Sequence, residues 1–334
     1  EVERCMRVLD GAVLVIDAVA GVQAQSETVW RQMRRHRVPA VVFVNKCDRA
    51  GADFLAAVAS VRKRLAAPAV PVQYPLYEDG DLLGVVDLLE RRAWRFPAGD
   101  PPPGPVETPL PEGLVDEVGV LRAELVDVLA DGDDELLAAV LEEREPPLEA
   151  LRAALRRRCL AGSLLPVLCG AALRNVGIHP LLDAVVDYLP SPLDVPPIVG
   201  SHPKSGERVE LHPDPAEPTA ALAFKLQAQA HGDLVFLRVY SGRLSPGSSL
   251  WNPRVRRHER IGRLLRMHAN TREDIDTIYT GDIVAGVGLK TVKTGDTLSD
   301  SNKEIQLESM TFPAPVISVA IEPKTKSDEE KLSE

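Results

Sequence analysis

The chain has 334 residues, four cysteines and a formal net charge of −10. That length supplies two or more domains with sizeable cores, and the acidic balance excludes wholesale polyanion binding, so any nucleic-acid contact must come from local basic patches. Cys5, Cys47, Cys159 and Cys169 show no paired spacing, which supports neither a disulfide framework nor a zinc site and points to a reducing compartment; no apolar run reaches membrane-spanning length, and no signal or transit peptide is recognisable.

Glu1 to Leu9 carry Val2, Cys5, Met6 and Leu9 at helical spacing, the pattern of the tail of an amphipathic helix. Ala12 to Ile16 form an unbroken apolar run, a buried strand ending at Asp17 and a loop around Gly21. Ser26 is placed to cap the next helix, which turns Val29, Trp30 and Met33 inward before Pro39 stops it. Val41 to Val44 make a second buried strand, and a helix from Asp53 lines up Phe54, Val58, Val61 and Leu65. Continuous apolar strands alternating with helices predict a parallel, doubly wound sheet. Between about residues 70 and 160 an α+β insert interrupts it. Val70 to Tyr77, Gly84 to Leu88 and Ala93 to Phe96 are strand-like, Pro97 to Pro111 is extended, and residues 114–128, 135–141 and 148–157 are helical. The insert carries an acidic block that includes Asp127, Asp131, Asp133, Asp134, Glu135, Glu142, Glu143 and Glu145; a solvated helix surface is its simplest reading.

The doubly wound pattern resumes at Leu165 to Leu168 and Cys169-Gly170-Ala171-Ala172. A helix then carries Leu181, Leu182, Val185, Val186 and Leu189 until Pro190 and Pro192 end it. The first domain is therefore taken as residues 1–193, and the proline-rich residues 194–218 as a linker or arm. Ala220 to Leu226, Leu234 to Tyr240, Arg260 to Met267 and Ile283 to Val287 are short strands punctuated by glycines. They predict a small closed β-barrel over 219–301. Residues 302–334 start a third, truncated α+β domain, with a strand at Val316 to Ile321 and a helix capped by Ser327.

Chemistry concentrates just past the second strand, at Asn45-Lys46-Cys47-Asp48. Open α/β sheets bind ligands beyond the carboxyl ends of their strands, and Asn-Lys-x-Asp in that place is the guanine-reading motif of GTP-binding proteins. Guanine offers two adjacent donors, N1–H and the 2-amino group, and the Asp48 carboxylate accepts both in a charge-assisted fork. Adenine would turn an acceptor towards that carboxylate. The aliphatic stem of Lys46 can cover one face of the base, and the Asn45 amide can tie neighbouring loops together.

The chain as a whole resembles the translational GTPases of the elongation factor G group. The stretch from Glu1 to Ala12 is similar to the segment just after their Asp-x-x-Gly-His switch motif, and the resemblance continues in Gln25-Ser26-Glu27-Thr28-Val29-Trp30-Arg31-Gln32. It extends through Val44 to Arg49, Pro180 to Pro192, Arg263 to Asn270, Thr294-Gly295-Asp296-Thr297-Leu298 and Ile321-Glu322-Pro323-Lys324-Thr325-Lys326, all in family order. The resemblance implies a partial P-loop GTPase-type domain followed by the barrel, GTP/GDP as ligand with Mg2+ in the intact parent, and GTP-driven movement of tRNA and mRNA on the ribosome. It implies that Gly170, Ala171 and Ala172 form the second base-contacting loop, with the N–H groups of Ala171 and Ala172 offered to guanine O6. Relatives usually carry Gly-Ser-Ala there; the absent serine hydroxyl that would brace Asp48 should cost about 1 kcal/mol. Small-subunit RNA is the partner implied for the barrel, with Arg254, Arg256, Arg257, Arg260, Arg263 and Arg266 as the candidate surface, and the basic ribosomal stalk protein a partner implied for the acidic insert. No catalytic or metal-binding residue is assigned within the chain; His179, His231, His258 and His268 are isolated.

No Gly-x-x-x-x-Gly-Lys-Ser/Thr phosphate loop and no Asp-x-x-Gly-His occurs in these residues; with those motifs relatives hold the phosphates, magnesium and the attacking water. The expectation is an internal piece of a longer GTPase, inactive alone, in a bacterial-type cytoplasm or an organelle. The alternatives are a ribosome recycling, release or ribosome-protection paralogue, or a non-catalytic ribosome-binding module.

Overall fold

The computed structural model describes residues 2–97, 99, 104–228, 233–268 and 271–307. The strand expected at 316–321 and the helix expected after Ser327 lie outside these residues.

The first part runs α1 (Val2–Met6), β1 (Ala12–Asp17), α2 (Ala24–His36), β2 (Ala40–Asn45), α3 (Phe54–Leu65) and β3 (Ala69–Pro71). The insert comes next as β4 (Gln73–Glu78), β5 (Asp81–Asp87), β6 (Arg92–Arg95), β7 (Val106–Thr108), α4 (Val115–Ala130), α5 (Asp134–Leu141) and α6 (Leu148–Leu160). Strand β8 (Leu165–Cys169) and helix α7 (Ile178–Tyr188) return the chain to the main sheet. That sheet is parallel throughout, in the order β1-β2-β8-β3. Its centre explains the unbroken apolar run of β2. Val42 and Val44 pack on one side with Trp30, Met33, Val58 and Val61, while Val41 and Phe43 pack on the other with Leu151, Leu155 and Ala184. A strand covered by helices on both faces has no side left for polar residues. Burying a side chain such as Phe43 contributes roughly 1.5–3 kcal/mol.

Three expectations shift by a few residues, each for a local reason. Helix α2 starts before Ser26, with Gln23 as the N-cap and the Gln23 N–H donating to Ser26 Oγ at 3.4 Å; Ser26 thus acts from inside the first turn. The single strand expected over Val70 to Tyr77 is two strands. Pro71 has no N–H to offer a further strand on its outer side, so β3 is the edge of the parallel sheet. The Val72 N–H still donates to Val167 O at 2.9 Å while Val72 O accepts from Leu88 N at 3.0 Å, and from there β4 turns away into the antiparallel sheet β4-β5-β6-β7. The strand expected over Arg260 to Met267 is likewise broken at Ile261-Gly262, where the Gly262 N–H donates to Val287 O at 2.8 Å.

The segment expected to be a linker contains a hairpin, β9 (Ile198–Ser201) and β10 (Arg208–Leu211). Beyond it lie β11 (Ala220–Gln227), β12 (Leu234–Ser241), β13 (Arg243–Leu244), β14 (Ser249–Asn252), β15 (Arg257–Arg260) and β16 (Arg263–His268). The chain continues as β17 (Thr271–Asp274), β18 (Ile278–Tyr279), β19 (Ile283–Val287), β20 (Thr297–Ser299) and β21 (Gln306–Leu307). Strand β21 joins the hairpin as a third strand. Eight of the others form one antiparallel, barrel-like sheet, β15-β14-β20-β11-β12-β19-β16-β17. Its two ends curl together, because β15 passes to β16 in two residues and Gly247 and Ser248 exchange hydrogen bonds with Ile261 at 2.7 and 2.9 Å. Val235, Leu237, Val239, Leu264 and Val284 fill its inside. Outside, Leu222 and Phe224 pack with Leu211, Ile305 and Leu307, and Val8 of the first domain joins them. An ion pair between Arg238 and Asp10 and a hydrogen bond from Tyr240 Oη to Arg7 O (3.4 Å) complete the contact.

Candidate functional site

The parallel register places Asp17 beside Asn45, and Val44 beside Cys169. Three loops therefore leave the same, carboxyl edge of the sheet: one after Asp17, one at Asn45 to Asp48, and one at Gly170 to Ala172. Hydrogen bonds stitch the last two together. The Gly170 N–H donates to Val44 O at 3.0 Å, and the Cys47 N–H to Gly170 O at 3.0 Å. Asn45 Oδ1 accepts from Ala172 N at 2.9 Å and from Lys46 N at 2.8 Å. Asn45 is thus the tie between loops that its residue type suggests.

Space at this junction is tight enough to require glycine at two places. A Cβ on Gly170 would stand 2.2 Å from Val176 O, and Gly177, at φ +79°, would bring one to 2.3 Å from Cys169 O. Ala171 donates to Val176 O at 3.0 Å. The backbone N–H groups of Gly170, Ala171 and Ala172 are therefore all engaged within the protein. This differs from the expectation that Ala171 and Ala172 present theirs outward: the bridge to Val176 takes one and Asn45 takes the other.

Cys47 anchors the motif. It is buried against Val44, to whose carbonyl its thiol donates at 3.3 Å, and burial pushes the thiol up to about 11. Asp48 comes next and is exposed, so the carboxylate projects from a fixed stem. Lys46 adopts a left-handed backbone (φ 66°), which costs about 1–2 kcal/mol for a residue with a Cβ. Its ammonium is held by Asp17 Oδ2 at 2.6 Å, while Asp17 Oδ1 also accepts from Val19 N (2.8 Å) and Ala20 N (3.1 Å). Asp17 is the site residue that the motif does not reveal; a carboxylate at the end of a buried parallel strand, one register step from Asn45, is the signal that could have found it.

The hydrogen bond from Lys46, with those from Val19 and Ala20, holds the Asp17 carboxyl down at about 2. Its ordinary value is about 3.9. A carboxyl depressed on folding stabilises above the unfolded value and loses that contribution as the pH falls through the folded one. Asp17→Asn is accordingly expected to destabilise the chain by a constant amount above about pH 4.5, the difference shrinking between about pH 4 and 2. Urea titrations of both forms across that range check this; a difference independent of pH would show that the ion pair has no such effect.

The barrel arginines do not form one stripe. Arg254 is closed on Asp296, with Nε to Oδ1 at 2.6 Å and Nη2 to Oδ2 at 2.8 Å, and also donates to Thr291 O at 2.7 Å. Asn252 donates to the same carboxylate at 2.9 Å. Burial raises the Asp296 carboxyl, but these donors outweigh it and the group ends below its ordinary range. Arg254 is an exposed arginine whose guanidinium is tied to the buried Asp296. Arg256, Arg257, Arg260, Arg263 and Arg266 are exposed. Strand alternation sets Arg263 and Arg266 on opposite faces of β16, since Leu264 packs in the barrel interior and Leu265 in a separate cluster with Leu234 and Ala285. Arg263 lies 3.9 Å from Asp274 and Arg266 lies 3.5 Å from Glu273, exposed pairs that hold the side chains weakly. In the insert, Asp133 caps α5 through Leu136 N (3.1 Å) and pairs with Arg157 at 2.5 Å, and Glu142 pairs with Arg144 at 2.6 Å. Part of the acidic block is therefore structural.

Among the described residues no helix is long and apolar enough to cross a membrane. Comparison with known proteins bears on the whole chain. Residues 1–191 match the elongation factor Tu GTP binding domain and residues 232–299 match elongation factor Tu domain 2. The chain is 49% identical to elongation factor G of Thermotoga maritima over 99% of its own length, and 48% identical to that of Dehalococcoides mccartyi over all of it. It spans about half of either relative, 48%. A crystal structure of a protein from Thermus thermophilus superposes with a TM-score of 0.81 at 28% identity, over 100% of this chain and 47% of that one.

Proposed function

Since the chain belongs to the translational GTPases, whose GTP-binding domain covers residues 1–191, we propose that it forms part of an elongation factor G-like GTPase that binds GTP and GDP and drives movement of tRNA and mRNA through the ribosome in a bacterial-type cytoplasm. The observation that carries the nucleotide reading is the pinned loop pair, with Asn45 joined to Ala172 and Cys47 joined to Gly170, leaving Asp48 exposed beyond them. A carboxylate fixed there accepts N1–H and the 2-amino group of guanine together. The Lys46 stem, held by Asp17, covers the base, and Gly170, Ala171 and Ala172 keep the second loop in register. Phosphate and magnesium binding, by residues other than these, supplies the charge stabilisation that phosphoryl transfer requires. The test of this reading is base exchange at Asp48, with xanthine nucleotides displacing guanine when the carboxylate becomes an amide.

On the barrel, the exposed arginines of β15 and β16 are proposed to meet phosphates of small-subunit RNA. Because Arg263 and Arg266 face opposite ways, one of them at most lies flat on a given duplex edge. Replacing both by alanine in the full-length protein should lower the slope of log affinity against log salt by about 1, the value for a single phosphate contact. Ribosome binding measured between low and moderate salt gives the slope, with GDP affinity in solution unchanged. An unaltered slope would return both arginines to ordinary surface. The acidic insert is proposed to face a basic partner such as the stalk protein, through carboxylates other than the capping Asp133.

A further inference from the structure

The peptide unit that joins Cys47 to Asp48 is gripped from outside the GTP-binding sheet. Tyr77, on insert strand β4, donates its hydroxyl to Cys47 O at 2.8 Å. The Cys47 N–H is already held by Gly170 O at 3.0 Å and its thiol by Val44 O at 3.3 Å. Both ends of this residue are thereby fixed, and the plane of its carbonyl is the plane from which the next residue, Asp48, departs. A hydrogen bond to that oxygen limits rotation of the peptide and so of the carboxylate beyond it. Although Tyr77 is 38% exposed, desolvation of its hydroxyl, and after it the nearby Cys47 and Cys169 thiols, push that group well above the ordinary range; it therefore remains a donor at all working pH. Tyr74, earlier on the same strand, has a different target: it gives its hydroxyl to Glu117 Oε1 at 2.7 Å, inside the insert.

We infer that Tyr77 is a positioning residue for Asp48, through which the insert sets how sharply the site selects guanine. The inference rests on the guanine reading above. It also offers a physical counterpart to Ala171, which lacks the hydroxyl that would brace Asp48 from the second loop: here a hydroxyl from the insert steadies the same carboxylate from behind, through the main chain.

The experiment uses the full-length protein with magnesium and compares GDP with inosine diphosphate, whose base keeps N1–H but lacks the 2-amino group. Misaligning Asp48 weakens the fork, so the second hydrogen bond suffers most. Tyr77→Phe removes only the hydroxyl and is expected to raise the GDP dissociation constant about fivefold, while the preference for GDP over inosine diphosphate falls about threefold. Tyr74→Phe, the same change on the same strand, should leave both values alone. Thermal unfolding reports on packing separately. An equal loss for the two nucleotides, or none, overturns the inference. Asp48→Asn keeps the two readings apart: if it leaves base choice untouched, the guanine reading fails, whereas a base switch at Asp48 with an unchanged preference in Tyr77→Phe removes only the role of Tyr77.

Discussion

Asp48→Asn in the full-length protein is expected to exchange guanine for xanthine selectivity. The carboxylate can only accept, and guanine presents two donors to it. An amide places one donor where an acceptor stood, which opposes the 2-amino group and suits the 2-keto oxygen of xanthine. Guanine should lose about 1.5–3 kcal/mol, the usual scale for hydrogen bonds to a charged group, or roughly 10- to 150-fold in affinity. Rejection by an unpaired polar group is stronger than rejection by shape, so the switch should be visible in direct competition between GDP and xanthosine diphosphate. The structure adds a reason to expect a clean result. Cys47 is buried beside Asp48 and bonded at its N–H, carbonyl and thiol, so the substitution changes the chemistry of an exposed group without loosening its stem. Tight GDP binding with indifference to xanthosine diphosphate would show that Asp48 does not read the base.

The second large effect concerns the 334 residues by themselves, which are expected to bind GDP no more tightly than about millimolar and to turn over no GTP. Phosphoryl transfer is catalysed mainly by positioning and by charge placed around the phosphates, and no phosphate-loop sequence occurs in this chain. Contacts to the base alone must offset the lost freedom of the ligand, which leaves little net affinity. The sheet adds a second difficulty. Strand β1 lies at its edge, Val15 is 55% exposed there, and Leu182 and Val186 on α7 are 59% and 76% exposed. Unpaired backbone beside uncovered apolar side chains favours self-association. Calorimetry with GDP and magnesium, read against light scattering, is the direct measurement. Micromolar binding, or turnover above a buffer blank, would reveal a phosphate site among these residues.

Much of the GTP-binding domain was legible because its signals are local. An unbroken β-branched and aromatic run such as Val41 to Val44, just after Pro39, favours a strand buried on both faces, and its polar successor is then the loop at the strand's end. The insert helices could be read from apolar spacing, and the barrel-like sheet from short strands punctuated by glycine. Boundaries were harder wherever two partners compete for one stretch. Val70 to Tyr77 is one apolar run in sequence, yet its first residues pair with β8 and its later ones with β5. The proline-rich segment before the barrel hid a hairpin because its third strand, β21, lies about a hundred residues further on.

From sequence alone, then, came the proposal of Asp48 as the base-reading carboxylate, since a motif of adjacent residues depends on nothing remote. Only the tertiary structure decided which groups hold the residues of its loop. Asp17 reaches Lys46 across 29 positions, Tyr77 reaches Cys47 across 30, and Ala172 reaches Asn45 across 127. The same holds for the arginines: composition made six of them look alike, but a buried Asp296 claims Arg254 and strand alternation parts Arg263 from Arg266. Hydrogen-bond partners and strand faces are set by which elements the parallel and antiparallel registers bring side by side, and a register is a relation between distant segments that no single segment carries.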